Sequence, residues 1–161
     1  MDRQEHTLKN TLWISSTLVS LVSILCISVA LTPASAAAFD LITTEEARLP
    51  KKPFTLESAG IGRGPSIEIH APKSDVYTPS PFEVKINFKA FNGATIDPNS
   101  IEILYWTDRR RNLTARLMAF FKDNTISISE ARAPRGQHQI QVSVTDSNGF
   151  GRKLIYDFQV D

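Results

Sequence analysis

Phe82-Glu83-Val84-Lys85-Ile86-Asn87-Phe88-Lys89-Ala90 sets apolar side chains at every second position and polar or charged ones between them. Successive side chains of an extended strand point to opposite faces, so this period of two describes a strand with one face in a core and the other in water. A helix would need the apolar positions three and four apart. The same alternation returns along the chain: Ile67 and Ile69 before Pro72, then Ile101, Ile103 and Tyr105 after the turn Asp97-Pro98-Asn99-Ser100. Ile126 and Ile128 follow, then Ile140, Val142 and Val144, and last Leu154, Tyr156, Phe158 and Val160. Short half-apolar strands separated by turn residues predict antiparallel sheets packed face to face.

One stretch departs from the alternation. In Leu113-Thr114-Ala115-Arg116-Leu117-Met118-Ala119-Phe120-Phe121 the apolar residues stand three and four apart, which predicts a short helical crossover between the sheets.

The chain has 161 residues, 42% of them hydrophobic, enough for one domain with a packed core. Arg3, Lys9, Asp2 and Glu5 are the charges of the first 38 residues, so the remainder holds 16 basic and 15 acidic side chains. That balance gives no general attraction to nucleic acid, which needs a surplus of basic groups. The single cysteine, Cys26, lies in the N-terminal apolar run, so the domain beyond it has no internal disulfide and no thiolate for catalysis.

Arg3 and Lys9 precede an apolar run from Leu12 to Leu31, and Pro33 with Ala34-Ser35-Ala36-Ala37-Ala38 follows it. This is the layout of a secretory signal with an A-x-A cleavage site, and it predicts a signal peptide over 1–38 and a mature chain starting at Ala37 or Phe39. The competing reading is an uncleaved membrane anchor, because a run of about 20 residues is long enough to span a bilayer. Five serines and a threonine dilute the run. Leu25, directly before Cys26, is bulkier than the residue a lipidated cysteine carries there. The expected location is periplasmic or secreted, with inner-membrane anchoring as the alternative.

Residues 39–64 read as a flexible lead-in. Thr43 and Glu46 have capping-box spacing for one or two helical turns, ended by Pro50 and Pro53, and Gly60, Gly62 and Gly64 break regular structure beyond them.

The stretch Pro134-Arg135-Gly136-Gln137-His138-Gln139-Ile140-Gln141-Val142-Ser143-Val144-Thr145-Asp146-Ser147-Asn148-Gly149 resembles the corner, strand and hairpin near the C-terminus of bacterial immunoglobulin-like domains. In these domains a tyrosine often follows the corner and bonds back to the backbone. His138 stands in that place, and the resemblance implies that its imidazole makes the structural bond. It covers about residues 65–161 and implies an all-β, immunoglobulin-like antiparallel sandwich of about seven strands with one short helical crossover. Such modules serve adhesion, spacing or recognition in bacterial envelopes without catalysis, an architecture and not an activity.

The residue inventory agrees with a non-catalytic reading. His70 and His138 are the two histidines beyond the signal, and neither has an acidic or cysteine cluster at metal-ligand or triad spacing, so no catalytic residue, metal or cofactor is expected. Asp146-Ser147-Asn148-Gly149 could open a calcium loop, but Asp157 stands where a closing glutamate belongs, and Asn148-Gly149 reads more simply as a hairpin turn. Asn112-Leu113-Thr114 is a glycosylation sequon to which no role is assigned.

The candidate binding surface is the outer side of the third strand and its loop: Leu104, Trp106, Arg109, Arg110 and Arg111. Alternation turns Leu104 and Trp106 away from the isoleucine stripe, and three arginines can grip a carboxylate or phosphate bidentately. The blander reading is a solvated charge run beside a second small core, with residues 113–121 folded over the tryptophan. The expected partner is another envelope or surface protein. The alternative is a carbohydrate or small ligand stacked on Trp106 and Tyr105, and membrane contact is expected only if residues 12–31 stay uncleaved.

Overall fold

The computed structural model describes residues 38–51 and 64–161, so the signal or anchor expected over the first 38 residues lies almost wholly outside the described residues. Among the described residues no helix is long and apolar enough to cross a membrane. The elements are β1 (Phe39–Asp40), α1 (Thr44–Ala47), β2 (Ser66–Ala71), β3 (Tyr77–Thr78), β4 (Phe82–Lys89), β5 (Glu102–Tyr105) and β6 (Arg111–Asn112). They continue with α2 (Thr114–Met118), β7 (Phe121–Lys122), β8 (Thr125–Arg132), β9 (Gly136–Thr145) and β10 (Gly151–Val160).

The strands form two sheets. One runs β1-β8-β4-β2 with β7 also on β8, and the other runs β3-β10-β9-β5-β6. Their inner faces supply one core, so the fold is an all-β sandwich. β4 alternates as its sequence requires: Phe82, Val84, Ile86 and Phe88 are buried while Glu83, Lys85 and Lys89 are exposed. Ile103, Tyr105, Ile126, Val142 and Phe158 complete the centre, each at most 1% exposed. Ile67, Ile69 and Tyr156 lie half-buried at its margin.

The expectation of purely antiparallel sheets needs correcting. β1 runs parallel to β8, with Phe39 opposite Ala131, and β3 runs parallel to β10, with Tyr77 opposite Gln159. Both are two-residue edge strands reached by long connections, so no hairpin dictates their direction. The crossover helix forms as its spacing predicts: α2 leaves β6 in one sheet and delivers the chain to β7 in the other, with Leu113 and Leu117 buried in the core.

The lead-in also departs from expectation in its described part. Leu41 and Ile42 are 3% and 2% exposed and belong to the core, so residues 38–51 are part of the sandwich. Leu41 and Ile42 amides both donate to Arg132 O. The capping box is present: Glu46 N–H donates to Thr43 Oγ1 at 3.2 Å and Thr43 N–H donates to Glu46 Oε2 at 2.8 Å. From there the segment crosses α2 and reaches the second sheet, where Asp108 N–H donates to Pro50 O at 2.8 Å. This strap runs from the β8 edge of one sheet to the loop that follows β5 in the other. Residues 52–63, which include Gly60 and Gly62 of the expected joint, lie outside the described residues.

Two turns show their chemistry. Between β7 and β8, Asp123 and Asn124 both adopt positive φ, 50° and 58°, the requirement of a tight two-residue hairpin. Between β9 and β10 only Gly149 does, at 80°, and Asp146 Oδ1 holds the turn by accepting from Asn148 and Phe150 amides at 3.0 Å each. The Asp146 carboxylate is thus committed to backbone donors, and Asn148 needs no left-handed conformation.

Candidate functional site

The hairpin from β5 to β6 carries all five residues of the candidate surface. Tyr105 pairs with Arg111 and Leu104 with Asn112, so residues 106–110 form the connecting loop. Trp106 N–H donates to Gln139 O at 2.8 Å, which ties the first loop residue to β9.

Leu104 and Trp106 do turn away from the core between the sheets, as alternation requires, but neither is exposed: both are 8% accessible. Gln141, opposite Leu104 on β9, is 3% exposed, so the outer face of the second sheet is covered here. The N-terminal strap passes this end of the strand through the Pro50–Asp108 bond, and the Arg110 guanidinium lies 4.3 Å from the centre of the indole ring. Leu117 of the crossover helix faces the main core. The expected apolar anchors are therefore interior residues.

Arg109, Arg110 and Arg111 are exposed. A guanidinium stacked on an indole is held by the ring quadrupole and loses less freedom when it binds a second group. The strap carries two more cations on either side of Pro50, whose carbonyl is bonded to the hairpin loop. Arg48 and Lys51 are exposed, and Lys51 Nζ donates to Gln137 O on β9, next to the strand end that holds Trp106. Sequence reading left both out, although Arg48, Lys51 and Lys52 flanking Pro50 form a second short basic run that was there to be noticed. Asp108 in the loop and Glu45 in the strap are exposed acids, and the half-buried Asp157 accepts from Gln139 Nε2 at 2.8 Å.

Beneath the corner, Tyr105 and His138 form a buried polar pair. His138 is 2% exposed, and its Nε2 lies 2.7 Å from Pro134 O. A carbonyl only accepts, so Nε2 carries the proton, and the Tyr105 hydroxyl donates to the bare Nδ1 at 3.0 Å. Burial pushes the His138 pKa below the ordinary 6.5, with the Lys51 ammonium acting in the same direction. This is the corner bond the resemblance implied, and both ring nitrogens are used by it. His70, by contrast, is surface-exposed beside Glu68 at 3.8 Å.

Among the described residues no three His, Cys, Asp or Glu side chains gather at metal-binding distance. A shallow open groove of about 480 Å³ lies along β8 between its pairings with β7 and β1, lined by Phe39, Asp40, Phe120, Ser127, Ser129 and Glu130 among others. Phe39 and Phe120 meet edge to face at 4.9 Å there.

The fold and site define a two-sheet β-sandwich with a basic hairpin corner. Compared with known proteins, the chain matches no family model, no curated protein and no solved structure.

Proposed function

We propose that this is an exported, non-catalytic, immunoglobulin-like module of the bacterial envelope that works by binding another protein through the β5–β6 corner. The observation that carries the reading is the corner itself: three exposed arginines on one hairpin, the middle one stacked on a buried tryptophan. A rigid backing under exposed guanidinium groups lowers the entropy lost on association. The immunoglobulin-like assignment is supported by the strand order, by the passage of the chain from β2 in one sheet to β3 in the other, and by the His138 corner bond. Export is supported by the N-terminal pattern of basic residues, apolar run and alanine-rich exit.

A photo-crosslinking residue at position 109, in the native envelope, tests the reading, with position 85 on the outer face of β4 as control. Adducts from 109 and none from 85 are expected. No adduct from 109, or equal adducts from both, would leave a spacer in place of a binding module.

The carbohydrate alternative does not use Tyr105 or Trp106, since both rings are buried. It is favoured instead by the β8 groove, where two aromatic rings meet two serines and two carboxylates. Phe120→Ala abolishing retention on a polysaccharide column would speak for it.

A further inference from the structure

We infer that the β5–β6 corner receives an extended acidic segment of a partner protein, its carboxylates held by Arg109, Arg110 and Arg111 with Arg48 and Lys51 at the rim. The inference rests on the binding-module reading and adds the chemistry of the partner. The hairpin residues 108–112 and the strap residues 44–51, joined by the Pro50–Asp108 bond, hold five exposed cations against two exposed acids, Glu45 and Asp108, in a chain whose charges otherwise nearly cancel. Arg116 of α2 spends its charge on Glu46 of the strap. Among the described residues, none of the five exposed cations has an ion-pair partner. The surplus is local and short, which suits a few carboxylates in a row and not a long nucleic acid.

Backbone geometry favours a peptide over a lipid headgroup. β6 is the last strand of its sheet, with β5 on one side and no strand on the other. Leu113 N–H donates to Ile103 O at 2.8 Å. Hydrogen-bonded pairs alternate along an antiparallel ladder, so Asn112, one residue earlier, turns its own N–H and C=O away from β5 toward the open edge. A segment laid along that edge gains main-chain bonds to Asn112 while its acidic side chains reach the guanidinium forks of the adjoining loop. A phosphate headgroup could use the arginines but not the strand edge.

The test is a titration of the full chain with poly-L-glutamate, with inorganic polyphosphate as the phosphate counterpart. The variant R109Q/R110Q/R111Q is compared with K73Q/K85Q/K122Q, which removes the same charge from exposed sites elsewhere. Polyglutamate binding should fall at least about tenfold in the arginine variant, stay near parental in the lysine variant, and weaken with added salt. Equal loss in both variants would reduce the effect to net charge and overturn the inference. So would binding of polyphosphate alone, which points to a phosphate-bearing surface, or self-association of the arginine variant with unchanged polyglutamate binding, which makes the arginines guards of an open edge. If position 109 crosslinks to a protein while polyglutamate binding ignores the arginines, the module reading stands and the acidic partner falls. If position 109 gives no adduct, the module reading itself fails.

Discussion

Arg116 of α2 and Glu46 of α1 meet fork to fork, Nη1 to Oε2 and Nη2 to Oε1, each at 3.1 Å, while Nη1 also donates to Leu41 O at 2.8 Å. One carboxylate therefore closes a local capping box and clamps the N-terminal strap to the crossover helix. Burial acts to raise the Glu46 pKa, but the Arg116 bonds and the Thr43 amide together bring it below the ordinary 4.5. A carboxylate depressed in the folded state contributes stability that is present above its unfolded value and is lost as pH falls through the folded one. Glu46→Gln should thus cost about 1 to 3 kcal/mol near neutrality. The gap between it and the parent should close as pH drops below 4.5 in paired denaturant titrations. A gap unchanged down to strong acid would mean that the ion pair contributes nothing.

Leu41→Ala and Ile42→Ala each should destabilise the domain by about 2 to 5 kcal/mol, as truncations of buried core residues do. Both side chains are nearly inaccessible. A flexible lead-in would tolerate either change within about 0.5 kcal/mol. Urea midpoints of the two variants decide between these outcomes.

His138 is buried neutral, so protonation is harder in the folded protein than in the unfolded chain. Below the ordinary value of 6.5 the unfolded state binds more protons, and stability declines as pH falls from there toward the depressed folded value. His138→Phe should remove that part of the slope. At neutral pH the same variant leaves the Tyr105 hydroxyl and the Pro134 carbonyl without their partner, at a cost of about 1 to 3 kcal/mol each where no water replaces it. Thermal unfolding from pH 7.5 to 5 would show a persisting slope if another group is responsible.

Trp106→Ala should cost about 3 to 5 kcal/mol, similar to Phe88→Ala in the middle of β4, because both rings are buried. Lys89→Ala, on the exposed face beside Phe88, should stay within about 0.5 kcal/mol. Arg110→Gln removes the cation above the indole and should change stability by about 0.5 to 1 kcal/mol, since the contact is at an exposed site. A Trp106→Ala variant as stable as the parent would return the indole to the surface.

Side-chain alternation is a property of neighbouring residues, and it was enough to establish the six longer strands and the inward stripe of Phe82 to Phe88. Three- and four-residue spacing did the same for the helical crossover, and Thr43 with Glu46 for the capping box, while the two-residue strands β1, β3, β6 and β7 are too short to leave a pattern. Turn chemistry placed the breaks, and the resemblance of residues 134–149 to an immunoglobulin-like corner implied the bond that His138 makes to Pro134 O. Alternation also told correctly that Leu104 and Trp106 leave the main core. It could not tell whether the face they join is wet, because that depends on what distant parts of the chain lay over it. The return of residues 38–51 placed Leu41 and Ile42 in the core and the Pro50 carbonyl against Asp108. Long-range burial follows from the path of the chain, and a period-two pattern records only which side of a strand a residue is on. The parallel pairing of β1 and β3 belongs to that second class too, since two-residue edge strands take their direction from the sheet they meet.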